Sequence, residues 1–499
     1  MDFDYLKSGE FTIKENKTVQ GELIVDGKNT ELFLKDKDFF MLENDNSDYI
    51  HGILASQKKV SLFQCLAIAN AGSLYNGDTS VTFARIFPHF VITGNKHLYP
   101  NDKSIKSITF QLDDFQSVFY DFDAFGTALS GRKEILELIN RKGFYVRELD
   151  IGPYPEIMFY TGKEYIFKTE TKLGNLIIFH ARTSRHGGPT GVGITSKPAA
   201  TLEFHKRVDF EHALKSVHDL KLFFELILGR EQNLEKLYID VSPPKKLEDQ
   251  DDNYSILDVK ISLQKEVLRE KDERSPHPTD ILIQACEYPD TYETVLKNWI
   301  MRQEERRRAR EDIILSFNKK IYTKDRTVSA ANMFDHLPDQ DVPKKKRLSR
   351  EVSNIRSRFK EELKQLEESP ERSSLLNALG RLGAPSLKDR ICHRANIVTT
   401  AQPKRFKDLD VVCRHAADYR NYLVHNSKTK FEYEQHFFIQ AFLTDTLEFV
   451  FCASELIECG WNFDEWLSNG SSLSHRFATY VYNYESGLEE FHSFLNKYK

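Results

Sequence analysis

Arg420 and His425 stand in the run Arg420-Asn421-Tyr422-Leu423-Val424-His425, an Arg-x4-His spacing. Arginine presents a permanently charged planar fork that matches phosphate oxygens. Histidine titrates near neutral pH and moves a proton in either direction. Cleavage of RNA without a metal needs those two services, a cation at phosphorus and proton transfer. The spacing alone is weak: with 16 histidines in the chain, about one such match is expected by chance. A second match exists, Arg207 with His212.

The element that must position the first pair is a helix expected over Phe406–Val424. Asp408 or Asp410 can cap its start, Val412, Ala416 and Leu423 recur at helical spacing, and Asn426 and Ser427 are stop signals. His425 then falls in or just after the last turn, where the helix dipole favours a cation. At roughly 100° per residue, Arg420 and His425 diverge by about 140° and share no face. They converge either if the helix frays at His425 or across a two-fold axis between two copies. The decoy lacks this setting. Arg207 ends a strand-like run, and Asp209 reads as an N-cap that puts His212 in the first turn of a different element.

A long helix is expected next, Tyr433–Cys459, ended by Gly460, with Phe438, Phe442, Phe449, Cys452 and Leu456 as its apolar stripe. Asp445 interrupts that stripe. It either pairs with Arg420 or His425, because a buried carboxylate needs such a partner, or faces solvent.

Residues 9–115 read mainly as strands. Asp26-Gly27 between Thr18–Val25 and Thr30–Leu34 predicts a hairpin, and Pro88 predicts a break between strands 81–87 and 90–93. A helix is expected over 133–142. A second hairpin is expected at Ile157–Lys168, then a strand at Leu176–Ala181 and a Gly-rich turn at Arg185–Gly191. A helix from Asp209 to Leu228 should stop at Gly229. Ser242–Asp252 reads as a surface loop or linker. Near residue 290 the character changes to helical: one long helix over Glu293–Phe317, another at 324–334, a charged one at Leu348–Glu368, and shorter ones at Ser373–Leu382 and Lys388–Arg394. The fold class is therefore α+β and multidomain. A β-rich domain, sandwich or barrel-like, occupies 1–285, and an all-α helical bundle occupies 290–499.

Composition bounds the rest. With 499 residues, two or three domains are expected, and 40% hydrophobic content suits packed cores. A net charge of −5 gives no global attraction to nucleic acid, so any such binding needs a local patch. Six cysteines form no CxxC, which points to free thiols in a reducing cytoplasm. No apolar leader opens the chain, and no run approaches the ~20 apolar residues that span a bilayer, so no membrane is expected. His393 and His415 have no carboxylate at ligand spacing, so neither metal nor cofactor is expected.

The Arg420, Asn421 and His425 positions at a helix end, with a second long helix after them, resemble a HEPN domain, and more narrowly the Apea-like HEPN family of prokaryotic antiviral defence. Thr18–Leu34 and Ser107–Phe115 are similar to the N-terminal domain found with it. The resemblance implies a homodimer, or a higher even oligomer, that pairs its motif helices. It implies a ribonuclease that uses the ribose 2′-OH and leaves a 2′,3′-cyclic phosphate and a 5′-OH, as a toxin that aborts infection. Arg420 and His425 would be catalytic, Asn421 and Asp445 supporting. The N-terminal domain would answer to an unknown viral trigger. The rival is an inactive scaffold or RNA-binding protein controlled by a ligand of the N-terminal domain.

Weaker candidates remain. Arg414, Lys428 and Lys430 lie around the motif and could meet RNA phosphates. Arg182, Arg185 and His186 beside Gly187-Gly188 could bind a phosphate-bearing ligand, or simply turn a hairpin. Residues 301–350 hold 14 Lys+Arg against 8 Asp+Glu, including Arg306, Arg307, Arg308 and Arg310. That run suits RNA or a solvated helix face.

Overall fold

The computed structural model describes residues 6–13, 17–36, 49–76, 79–129, 133–137, 152–185, 187, 189, 191–243, 254–264, 267, 269, 273–317, 319, 321–345, 347–425, 431, 433 and 436–497. The chain forms two compact units. The first comprises Met1–Lys221, Gln232–Pro278 and Gln284–Pro289, and the second comprises Leu222–Glu231, Thr279–Ile283 and Asp290–Lys499.

The first unit is built on one twelve-stranded sheet. Its first six strands are β1 (Leu6–Thr12), β2 (Thr18–Ile24), β3 (Glu31–Asp36), β4 (Tyr49–Leu54), β5 (Lys59–Asn76) and β6 (Thr79–Gly94). They run in the order β6-β3-β2-β1-β4-β5, and β5 pairs back onto β6 to close a barrel. Alternation supplies its interior: Phe11, Leu23, Leu32, Leu34, Ile50, Leu62 and Ile86 are all buried there. The Asp26-Gly27 turn does join β2 to β3, with Gly27 at φ 48° and Ile24 paired to Glu31.

β6 also carries the sheet outward, through β14 (Ile256–Ile261), β13 (Leu234–Asp240), β7 (Ile105–Leu112), β12 (Gly193–Val208) and β11 (Asn175–Arg185) to β10 (Tyr165–Glu170). This dual role accounts for Pro88. The proline does not break β6. It stands between the stretch that pairs β3, Thr82–Ile86, and the stretch that pairs β14, Phe90–Thr93. β13 and β14, on either side of the acidic stretch after Ser242, pair antiparallel; residues 244–253, where a loop or linker is expected, lie outside the described ones.

Two further expectations change here. Ile157–Lys168 is no hairpin: β9 (Glu156–Tyr160) pairs with β8 (Phe125–Leu129) in a separate ribbon, and β10 pairs with β11. Of the helix expected at 133–142, residues 133–137 are helical and the rest lie outside the described residues. A short helix, α1 (Phe115–Val118), follows β7, and α2 spans Phe210–Leu228. Asp209 caps α2, its Oδ1 accepting from the His212 N–H at 2.9 Å. Gly229, at φ 68°, ends it, with the Arg230 N–H returning to the Glu225 carbonyl.

The second unit contains α3 (Pro289–Met301), α4 (Gln303–Phe317), α5 (Lys324–Asp335), α6 (Arg350–Lys364), α7 (Pro370–Arg381), α8 (Leu387–Ala401), α9 (Leu409–His425), α10 (Phe437–Glu458), α11 (Phe463–Ser468) and α12 (Arg476–Asn496). The long helix expected over Glu293–Phe317 is two helices, broken at Arg302. The break frees the Trp299 carbonyl, which accepts from the Arg310 guanidinium at 2.9 Å. Pro370 begins α7 at its first turn, with Ser369 as cap, as well as closing the segment before it.

α10 is the axis of this unit and packs on α5, α8, α9 and α12. Leu443, Leu447, Phe449, Val450, Phe451 and Leu456 are all buried, each contributing about 1.5–3 kcal/mol. Gly460, at φ 103°, terminates it, with the Trp461 N–H returning to the Leu456 carbonyl at 2.9 Å. Two readings of this helix are corrected. Phe438 leaves the stripe and is 63% exposed. By length and composition α10 could cross a membrane, contrary to the expectation that no run would. Yet 72% of its apolar window is buried inside the fold, and its carboxylates are ion-paired.

Candidate functional site

α9 buries Leu409, Val412, Cys413, Ala416, Ala417 and Tyr419 against its neighbours, which leaves Arg420 at the edge of the packed face. The Arg420 Nη2 donates to Asn332 Oδ1 at 3.0 Å and lies 3.7 Å from Asp335 Oδ2, while Nη1 donates to Asn421 Oδ1 at 3.3 Å. Asn332 and Asp335 sit three apart in the last turn of α5, so one helix end aims two acceptors at one guanidinium. The Arg420 Nε is buried and has no hydrogen-bond partner among the described residues. A buried N–H without an acceptor is costly, and here it leaves one donor of the fork unspent. Sequence reasoning missed Asn332 and Asp335. The only signal was a polar i,i+3 pair flanking the buried Phe334.

His425 is the last residue of α9 and is exposed. The helix continues through it, so fraying does not bring it to Arg420. No hydrogen bond joins the two among the described residues, and in one chain they diverge by about 140°. Arg414 is exposed and pairs with Asp410 at 3.4 Å within the same helix. Lys428 and Lys430, like Asn426 and Ser427, lie outside the described residues.

Asp445 pairs with neither Arg420 nor His425. It accepts from the Tyr322 hydroxyl at 2.6 Å and from Arg326 Nη2 at 3.1 Å. Its position on α10 faces the start of α5, whereas Arg420 reaches the end of α5. Burial and the neighbouring Glu448 push the Asp445 carboxyl up to about 6. Burial also works against Glu448, but Arg326, at 2.8 Å, and Arg476 hold it below the usual range. Asp445, Arg326 and Tyr322 line a cavity of about 530 Å³ with Phe437 and Phe438, and neither Arg420 nor His425 lines it.

At Arg306 and Arg310 the basic run of α4 is not a solvated face, while Arg308 between them is exposed. Arg306 and Arg310 are buried. Glu455, itself buried on α10, faces three guanidinium groups: Arg310 at 3.0 Å, Arg394 at 3.0 Å and Arg306 at 3.4 Å. Those cations outweigh burial and hold its carboxyl below the usual range. Charge runs in sequence read as surface, and here opposite charges on α10 bring them inside.

In the first unit, Arg182 and Arg185 lie on β11 and are exposed, and His186 is outside the described residues. The Arg182 guanidinium stands 5.3 Å from the Tyr160 ring centroid. A cluster that sequence reasoning missed lies nearby. His180 contacts Ser196 at 3.0 Å and Asp121 at 3.4 Å, and Asp121 also pairs with Lys163 at 2.7 Å. His180 packs edge-on against Phe125 and Tyr160 of the β8–β9 ribbon, and the cluster reads as a clasp for that ribbon. Arg207 donates to the Ser104 and Ser242 carbonyls, while His212, on α2, packs on Phe204 of β12. That Arg-x4-His match is structural. All six cysteines are free thiols.

A barrel-bearing β region followed by a helical region, with Arg-x4-His at the end of one of its helices, is the architecture of a β-rich N-terminal part joined to a HEPN-type domain. Residues 7–299, more than half of the chain, match the ApeA N-terminal domain 1, and residues 328–465 match the Apea-like HEPN family. The chain belongs to this family. The HEPN match begins within α5, so it takes in Asn332, Asp335, Arg420 and His425 together. No curated protein and no solved structure matches the chain. HEPN domains generally carry ribonuclease activity, and the two matches together point to a nuclease or RNA-related role in defence.

Proposed function

We propose that the protein is an endoribonuclease of antiviral defence, active as a dimer whose two α9 helices meet at their C-terminal ends. The observation that carries this is the divergence of Arg420 and His425 within one unfrayed helix. One chain offers one His and one Arg on different faces. A two-fold contact of α9 with its copy supplies two of each to a single cleft.

The chemistry then follows from the residue types. One His425 takes the proton of a ribose 2′-OH, and that oxygen attacks the adjacent phosphorus. The 5′-oxygen leaves with a proton from the other His425. The products are a 2′,3′-cyclic phosphate and a 5′-OH. Each proton transfer contributes about 10²–10⁴-fold in rate. Arg420, steadied by Asn332, Asp335 and Asn421, holds its guanidinium charge for the phosphorane, where charge grows toward the transition state. The 2′-OH requirement makes DNA inert. Arg414 stands about one and two-thirds turns earlier on the same helix, where it can meet RNA phosphates. The N-terminal unit acts as sensor for a viral trigger.

Wild type, Arg420→Ala and His425→Ala, each incubated with total RNA in the presence of EDTA, test the proposal. It predicts cleavage by wild type only. Equal RNA patterns from all three, or products ending in 3′-OH, would refute it. Such a result would favour the scaffold reading.

A further inference from the structure

α6 and α7 form a hairpin unlike the rest of the second unit. Neither helix has a buried residue, and they pack chiefly on each other. The Arg372 guanidinium staples them by donating to the Leu363 and Lys364 carbonyls that end α6, at 2.8 and 3.0 Å. Yet α6 is strongly amphipathic. Val352, Ile355, Phe359 and Leu363 recur every three or four residues along one stripe, and Leu366 follows just past the helix end. Val352, Ile355, Phe359 and Leu366 are 41–57% exposed. An apolar stripe of this kind, left half-exposed among the described residues, marks a contact surface.

The sequence around the stripe says what covers it. The apolar positions are symmetric about Phe359: Ile355 and Leu363 are four residues to either side, and Val352 and Leu366 seven. Charge changes sign at the same point. Before it stand Arg347, Arg350, Arg356 and Arg358 against Glu351, and after it stand Glu361, Glu362, Glu367 and Glu368 against Lys360 and Lys364. A helix with a symmetric seam and opposite charge at its two ends is complementary to itself when reversed. In an antiparallel pair each basic half lies along the other's acidic half, and in a parallel pair like charges align. The exposed Arg358–Glu362 pair at 3.6 Å is weak and free to exchange for a contact across the interface.

We propose that α6 docks on α6 of a second copy of this chain, antiparallel and centred on Phe359. This contact is separate from the pairing of α9 helices and uses none of its residues. Two distinct two-fold contacts in one chain allow assembly beyond a dimer.

Sedimentation of the full chain at low and high salt tests it, with circular dichroism as the check on folding. Phe359→Glu should remove one association step. Arg356→Glu with Arg358→Glu, and separately Glu362→Lys with Glu367→Lys, should each weaken that step by about tenfold or more. Mixing the two reversed proteins should restore it as a one-to-one pair, because the basic chain then meets the acidic one. Association of all variants like wild type would overturn the proposal. So would loss from the arginine changes alone, together with loss of RNA binding, which would make RNA the occupant. RNA cleavage by Phe359→Glu reads the α9 site independently, so the two proposals fail separately.

Discussion

Removing the Glu455 charge should destabilise the second unit more than any surface change, and the structure sets how much. Glu455→Gln keeps the shape and deletes the anion that three buried guanidinium groups share. Two of them keep other anions: Arg306 has Asp341, and Arg394 has Glu458 at 2.6 Å. Arg310 does not. Its remaining partners are the Trp299 carbonyl, Gln303 Oε1 at 2.6 Å and the Trp299 ring 3.3 Å away. The penalty for one uncompensated buried charge therefore applies once, about 3–5 kcal/mol. The assay is urea unfolding followed by tryptophan fluorescence. All three tryptophans, Trp299, Trp461 and Trp466, are buried in the second unit, so the signal reports that unit alone. Arg310→Met combined with Glu455→Leu should recover most of the loss, because an apolar pair replaces an ion pair without stranding a charge. A cost below about 1 kcal/mol for Glu455→Gln would refute the reasoning, as would a double variant no better than the single ones.

Three further outcomes are expected. Asn332→Ala frees the Arg420 fork and should lower RNA cleavage about tenfold, roughly 1.4 kcal/mol, with little change in the fluorescence midpoint. Gly52→Ala places a Cβ 2.6 Å from Phe11 Cδ1 and 2.8 Å from the Glu10 carbonyl oxygen. It should cost the barrel about 1–3 kcal/mol, read as a shifted far-ultraviolet transition with the tryptophan transition unmoved. Asp445 is raised to about 6 in the fold, so between its unfolded value and 6 the native state binds the extra proton. Its contribution to stability is full below the unfolded value and lost as pH rises through 6. Asp445→Asn should flatten that part of the pH–stability curve.

What the sequence revealed was local. Asp26-Gly27 marked its hairpin, Asp209 its cap, and Gly229 and Gly460 their helix ends, because each is a conformational requirement met within a few residues. The Arg-x4-His helix and its decoy were separable for the same reason. What stayed hidden was long-range. β9 turned away from β10 because its partner, β8, comes 27 or more residues earlier in the register, and no local signal states a pairing. Pro88 sits inside a strand because β6 changes neighbours there. Arg306 and Arg310 are buried because Glu455, about 145 residues on, faces them. Asn332 and Asp335 meet Arg420 from a helix some 85 residues earlier, beyond any spacing rule.

The central claim is that two chains complete one RNA-cleaving site. Its most direct measurement is the cleavage rate of a fixed amount of wild type titrated with His425→Ala chains after subunit exchange. With random pairing, an equal amount of the variant should cut the rate to about half, and an excess should suppress it further, while the products that remain carry 2′,3′-cyclic phosphate ends. A rate that follows the amount of wild type and ignores the added variant would contradict the claim.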